Sequence, residues 1–128
     1  MLSHLSLGVR DLKAAGRFYD AILRPLGIER VWTHTGGIGY GPPGGNDKLA
    51  LFPRPDANEL GVPLCAGPGF HLAFTAPDPA SVDAFHAAAL EHGGRNEGSP
   101  GLRPHYSPTY YAAYVFDPDG HKLEAVHQ

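Results

Sequence analysis

Two histidines and one glutamate have the types and the spacing for metal chemistry. His4 opens the segment HLSLGVRDLKAAGRFYDAILRPLG (4–27) and His71 opens HLAFTAPDPASVDAFHAAALEHGG (71–94); the two superpose without a gap at an offset of 67 residues. Asp11 then falls on Asp78, Phe18 on Phe85, Ala21 on Ala88, Leu23 on Leu90 and Gly27 on Gly94. In the first copy Leu5, Leu7 and Val9 alternate with His4, Ser6 and Gly8. In the second, Leu72, Phe74 and Ala76 alternate with His71, Ala73 and Thr75. Strand side chains alternate between faces, so each histidine points away from its apolar row. In the closing HKLEAV, Leu123 and Ala125 take the apolar side and Glu124 the other. If the two copies pair about a pseudo-twofold axis, the three donors converge. Two imidazoles and a carboxylate on one side of a divalent ion form a facial triad that leaves positions for substrate or oxygen. Such a centre suits reactions in which a metal chelates adjacent oxygens and stabilises developing negative charge.

The elements that must position these residues are legible around them. Asp11 and Asp78 are N-caps, and Pro79 suits a first helical position, where no donor is needed. Leu12, Ala15, Tyr19, Ile22, Leu23 and Leu26 make one apolar helix stripe, and Val82, Phe85, Ala89 and Leu90 another. Gly27 and Gly93 end the helices in left-handed caps. Extended runs follow: RVWTHT, GIGYG and KLALF in the first copy, with Leu49 and Leu51 facing the core. The second copy has a loose stretch from Arg95 to Pro108, then TYYAAYVF, the turn DPDG and HKLEAV. The Pro- and Gly-rich stretch 53–69 between the copies predicts no regular structure. GGIGYGPPGG (36–45) lacks the Gly-Lys-Ser/Thr ending and following helix of a phosphate loop, so it reads as turn chemistry. The result is one α+β domain over 1–128, with module one at 1–52, a linker at 53–69 and module two at 70–128, each module β-α-β-β-β.

The DPDG turn fixes a register. A type I turn over Asp117–Asp119 with Gly120 left-handed pairs Asp117 with His121, and therefore Tyr114 with Glu124. Tyr110, Ala112, Tyr114 and Phe116 then share the face of Glu124, while Tyr111, Ala113 and Val115 face the core; a two-residue loop would reverse the two sets. Ser6 and Ala73, two residues beyond the histidines, leave space beside the metal. Trp32, Tyr40, Tyr110, Tyr114 and Phe116 are candidates for stacking on a flat ligand. Of the other histidines, His86 and His92 are expected to face solvent, His121 sits beside a turn, His127 lies near the end, and the pattern around His34 decides nothing.

Composition narrows the partners. The chain of 128 residues has 10 basic and 13 acidic side chains and a formal charge of −3, which supplies no basic footprint for nucleic acid. The single cysteine, Cys65, cannot form an internal disulfide and reads as an ordinary loop thiol. No apolar run reaches the ~18 residues of a membrane span. A cytoplasmic protein with a small-molecule partner and no membrane is expected.

The order HLSLGVRDLKAAGRFYDAILRPLG, the repeated HLAF strand and the ending DPDGHKLEAV resemble the vicinal oxygen chelate superfamily, which includes glyoxalase I, fosfomycin- and bleomycin-resistance proteins and extradiol dioxygenases. The resemblance implies paired βαβββ modules forming a curved mixed sheet around a metal and substrate cup, commonly in a homodimer. It assigns His4, His71 and Glu124 to the family's metal positions. The ion implied is divalent: Fe(II) or Mn(II) first, with Zn(II) or Ni(II) also compatible. Matching KLA (48–50) to KLE (122–124) puts Ala50 where a fourth ligand would stand, which counts against the four-ligand glyoxalase I site. The string from His105 through Tyr114 to Glu124 resembles the extradiol signature, implying an acid–base role for His105 and substrate positioning by Tyr114; Arg103 and Ala113 depart from that signature. The expectation is a small metal-dependent enzyme acting on vicinal oxygens, dioxygenase-like or glyoxalase/lyase-like. The rival is a bleomycin-resistance type protein that binds a drug without chemistry. Whether one site draws His4 from one chain and His71 with Glu124 from another is left open by the sequence.

Overall fold

The computed structural model describes residues 1–128. Module one runs β1 (Leu5–Val9), α1 (Leu12–Leu23), a 3₁₀ turn (Arg24–Leu26), β2 (Glu29–His34), β3 (Gly37–Gly41) and β4 (Leu49–Pro53). A short helix α2 (Ala57–Leu60) lies in the linker. Module two runs β5 (Leu72–Thr75), α3 (Pro79–Glu91), β6 (Arg95–Leu102), β7 (Tyr111–Phe116) and β8 (Lys122–His127). The sheets have the same order, β1-β4-β3-β2 and β5-β8-β7-β6, each with one parallel pair made by the crossover helix and two antiparallel pairs.

The local signals act as expected. Asp11 accepts from the Ala14 amide at 3.0 Å and Asp78 from the Ser81 amide at 2.7 Å, so both helices start on a carboxylate cap. Gly27 and Gly93 take φ of 74° and 94°, the left-handed region that ends a helix most cheaply at glycine. Each helix lays its stripe on one face of its own sheet, and α1 and α3 pack against each other. One core therefore joins the modules: Phe18, Ile22, Leu49 and Leu51 from the first, Val82, Phe85, Val115, Leu123 and Ala125 from the second. The other face of each sheet is free of helices. No helix is long and apolar enough to cross a membrane.

Three expectations are corrected. The stretch after Arg95 is a strand, β6, over Arg95–Leu102; its pairing with β7 is interrupted by two register shifts, around Asn96–Gly98 and Gly98–Gly101. With Gly98, Pro100 and Gly101 inside it, β6 has no period of two to read. The linker holds one helical turn, Ala57–Leu60, closed by Gly61 at φ 65°. His86 is buried rather than solvent-facing, because its ring reaches off α3 to Asn96 Oδ1 at 2.8 Å.

Candidate metal and substrate site

Register lines up two equivalent rows on the helix-free faces. In module one, Ser6 pairs with Ala50, Ala50 with Gly39, and Gly39 with Trp32. In module two, Ala73 pairs with Glu124, Glu124 with Tyr114, and Tyr114 with Gly98. Ala50 thus stands where Glu124 stands, as the matching of KLA to KLE predicts. Each row also carries one aromatic laid over one glycine, with the strands exchanged. The Trp32 indole covers Gly39 on the adjacent strand, and the Tyr114 ring covers Gly98.

A side chain at Gly39 would collide with the Trp32 indole. Gly39→Ala is therefore expected to expel that ring, shift the emission of the protein's only tryptophan to longer wavelength and cost about 1–3 kcal/mol, the usual range for overpacking. Fluorescence during denaturant unfolding reads both, and an unmoved emission maximum would show that the strand gives way instead.

The chemistry gathers in module two. Glu124 is 1% exposed. Its Oε1 accepts from the Tyr110 hydroxyl at 2.5 Å. Its Oε2 is 2.9 Å from His71 Nε2 without hydrogen-bond geometry, which leaves that buried oxygen with no partner. An orphaned buried carboxylate oxygen beside an imidazole nitrogen is costly in an apolar setting unless a cation completes it. The His71 side chain is about half exposed, so the pair opens to the surface. The donor set, one imidazole and one carboxylate, fits a divalent ion.

His71 edges onto the Tyr114 ring, with centroids 6.0 Å apart. Desolvation, reinforced by the Glu124 charge, pushes the Tyr114 phenol up to about 12. Desolvation, with the hydrogen bond to Glu124, likewise holds the Tyr110 phenol above its ordinary range. Both hydroxyls therefore stay protonated: the Tyr110 proton goes to Glu124 Oε1, and the Tyr114 hydroxyl is left as a donor at the cavity. A cavity of about 410 Å³ lies over this group, lined by His71, Tyr114, His105 and Tyr106, with Arg103, Lys122 and Glu97 at its polar wall. The His105 ring lies against Tyr106, centroids 4.3 Å apart, and Tyr106 against Tyr110 at 4.9 Å. His105, Tyr106 and Tyr114 thus reach the same cavity as His71.

The remaining sequence candidates separate. His4 lies just before β1, exposed, with its ring at 3.1 Å from Ser3 Oγ. Within one chain no three His, Cys, Asp or Glu side chains gather as a metal site, so His4 is not beside His71 and Glu124. Ser6 borders a neighbouring depression with Phe70 and His121. Trp32 sits against His34 and Phe52 on the module-one face. Phe116 lines a second cavity beside Cys65 and Lys122, under the Arg95 guanidinium. Tyr40 is a correction: it is fully buried on the helix side, its hydroxyl donating to Asp20 Oδ1 at 2.9 Å with the Gly16 carbonyl 3.1 Å away, so it cannot stack on a ligand.

Sequence reasoning missed the two cations around Tyr114. The Arg103 guanidinium lies 5.5 Å from the ring centroid and Lys122 Nζ 5.4 Å from it. Lys122 was within reach of the alternation rule, two residues before Glu124 on the same strand. Arg103 follows a bulged strand, and no local pattern points to it.

Paired βαβββ modules with helix-free sheet faces define the fold class, and the comparisons give the family. Residues 1–125 match the model of the Glyoxalase/Bleomycin resistance protein/Dioxygenase superfamily, and the chain belongs to that superfamily. A glyoxalase/bleomycin resistance protein from Albidiferax ferrireducens T118 is 37% identical, with a TM-score of 0.82 and 98% of each chain covered. The fosfomycin resistance protein FosX from Mesorhizobium loti, 20% identical with a TM-score of 0.69 over 100% of this chain and 92% of its own, shares the fold. So does a V278E mutant of glyoxalase I from Zea mays, 24% identical with a TM-score of 0.70, where the match covers 96% of this chain and 44% of that one. No curated protein matches the sequence.

Proposed function

We propose that this protein is a divalent-metal-dependent enzyme acting on a small substrate with vicinal oxygens, by extradiol dioxygenase-like or glyoxalase/lyase-like chemistry. The observation that carries this reading is the buried Glu124 Oε2, unpartnered and 2.9 Å from His71 Nε2. His71 and Glu124 of one chain, with His4 of a second copy, would hold the ion. The open edges support that completion. β1 and β5 each pair with a strand on one side only; on the outer edge of β1 the Gly8 carbonyl is taken by His121 Nε2 at 2.8 Å, which leaves the first half of β1 and the LAFT edge of β5 to meet another chain.

When bound, the metal supplies Lewis acidity to two adjacent substrate oxygens. The chain's own groups do the rest. The Tyr114 hydroxyl, held protonated beside Glu124, donates to a substrate oxygen. Tyr110 braces Glu124 Oε1 and so fixes the direction of the other carboxylate oxygen. His105, which lines the same cavity, would take or return a proton at a substrate hydroxyl.

Metal titration of purified protein tests the shared site. Wild type is expected to bind one divalent ion per chain, while His4→Ala and Glu124→Ala dimers bind none. A heterodimer of the two variants should regain one intact site, built from the unaltered His4 of one chain and the intact His71 and Glu124 of the other. No metal uptake by wild type would move the protein to the drug-binding reading, and no recovery in the heterodimer would place His4 outside the site. Anaerobic Fe(II) loading followed by oxygen and a panel of catechols separates the two chemistries: ring-cleavage products support the first. A full metal complement without product leaves the glyoxalase/lyase branch.

A further inference from the structure

The polar wall of the cavity over His71 is built to receive negative charge. Arg103 and Lys122 come from different elements, the segment after β6 and the start of β8, and converge on the Tyr114 ring at 5.5 and 5.4 Å. Their surroundings differ in a telling way. Lys122 faces Glu97 at 3.8 Å, a long and exposed pair. Arg103 forms no ion pair. Its Nη1 donates to the Gly101 carbonyl and its Nη2 to the Ser99 carbonyl, both at 2.8 Å, and its own backbone amide donates to the Tyr110 carbonyl at 2.7 Å. Carbonyls hold the guanidinium still without cancelling its charge, and Nε makes no hydrogen bond. Glu124, the other acid near this wall, has Oε1 on the Tyr110 hydroxyl and Oε2 turned to His71, and pairs with neither Arg103 nor Lys122. One immobilised, uncompensated cation therefore borders the cavity, with a weakly paired one beside it. A fixed guanidinium loses little freedom on binding and matches a carboxylate in shape.

We propose that the substrate carries a carboxylate in addition to its vicinal oxygens, and that Arg103 with Lys122 reads it. This deepens the function proposed above and rests on the same cavity. The geometry divides the labour: His71, at the edge of the Tyr114 ring, and Glu124 would serve the vicinal oxygens, and the two cations lie over that ring.

Acid and amide pairs of the same shape test the idea: 3,4-dihydroxybenzoate against its amide, mandelate against mandelamide, and pyruvate against pyruvamide. Each is titrated calorimetrically into Mn(II)-loaded and chelator-treated protein. In at least one pair the acid is expected to bind wild type about tenfold tighter than the amide, the scale of a charge-assisted bond. Arg103→Gln should remove most of that preference, Arg103→Lys should restore part of it, and Arg103→Gln with Lys122→Gln should bring the ratio within about twofold of unity. Mn(II) affinity should not change in these variants. Equal binding of acid and amide, no binding of any acid, or a preference that survives the double substitution overturns the proposal. The two readings fail separately. Wild type that binds Mn(II) without preferring acids loses the carboxylate subsite alone. Wild type that prefers acids but binds no metal keeps the subsite and loses the metal centre.

Discussion

Glu124→Gln is expected to raise the stability of the metal-free protein while abolishing metal binding. The carboxylate is 1% exposed, and one of its oxygens has no hydrogen-bond partner. Burying a charge in that state costs free energy that a neutral amide of the same shape avoids. Gln keeps an oxygen for the Tyr110 hydroxyl and turns its amide toward His71 Nε2, so the packing survives. The gain should be about 1–2 kcal/mol in chelator-treated protein at mildly alkaline pH. The loss is larger. Removing even a hydrogen-bond partner of a metal ligand costs ~10–100-fold in affinity, and replacing the ligand itself should cost more. Wild type at metal concentrations near 100 times Kd would gain about 2.7 kcal/mol by mass action, and the variant should gain nothing. Denaturant unfolding with and without Mn(II) measures both effects. A metal-induced rise in the variant equal to that of wild type would remove Glu124 from the site. Opposite signs for stability and ligation are expected at a position kept for chemistry rather than for folding.

The same residue shows what kind of information the sequence holds. Glu124 was placed by alternation along β8 and by the DPDG turn, and both hold: Tyr114 pairs with Glu124, and the Asp117 amide donates to the His121 carbonyl at 2.9 Å. His71 follows because the repeat makes β5 the parallel neighbour of β8. Tyr40 was open to the same rule. In GIGYG it alternates with glycines and shares a side with Ile38, so the period already sends it to the core; grouping it by aromatic character overrode its position. His86 lies four residues after Val82, at the border of the α3 stripe, and whether such a ring is buried depends on a hydrogen-bond partner, here Asn96, from the next strand. Arg103 and β6 lie beyond reach for a different reason. A bulged strand containing Gly and Pro has no period, and its conformation is imposed by β7. The proposed meeting of His4 with His71 and Glu124 would lie on a surface between chains, and a single chain's pattern carries no term for it.

The turn that sets this register depends on one buried acid, and Asp117→Ala should be among the most damaging polar substitutions in the protein. Asp117 is 2% exposed and satisfies three donors: the Tyr19 hydroxyl at 2.7 Å, the His121 amide at 2.8 Å and the Asp119 amide at 3.0 Å. Tyr19 belongs to α1, so this carboxylate ties module one to the hairpin that presents Glu124. His121 adds a second tie, its Nε2 lying 2.8 Å from the Gly8 carbonyl. Alanine strands the donors, and each buried unmet one costs about 1–3 kcal/mol, so a total loss of about 3–5 kcal/mol is expected. That corresponds to a fall in Tm on the order of 10 °C. Asp117→Asn keeps an acceptor and should cost far less at neutral pH. The pH dependence separates charge from hydrogen bonding. Burial raises the Asp117 carboxyl above the usual carboxylate range, outweighing the nearby His121 and the Tyr19 hydroxyl, which pull the other way. The native state therefore holds this proton more tightly than the unfolded chain. The stability so gained is fully present below the unfolded value, near 3.8, and is lost as pH rises through the raised native value. The Asn variant lacks this contribution, so the advantage of wild type over it should widen as pH falls from neutrality toward that value. Chemical denaturation of the pair across this range measures the trend, and a difference that stays constant would mean that Asp117 enters the folded state already as an anion.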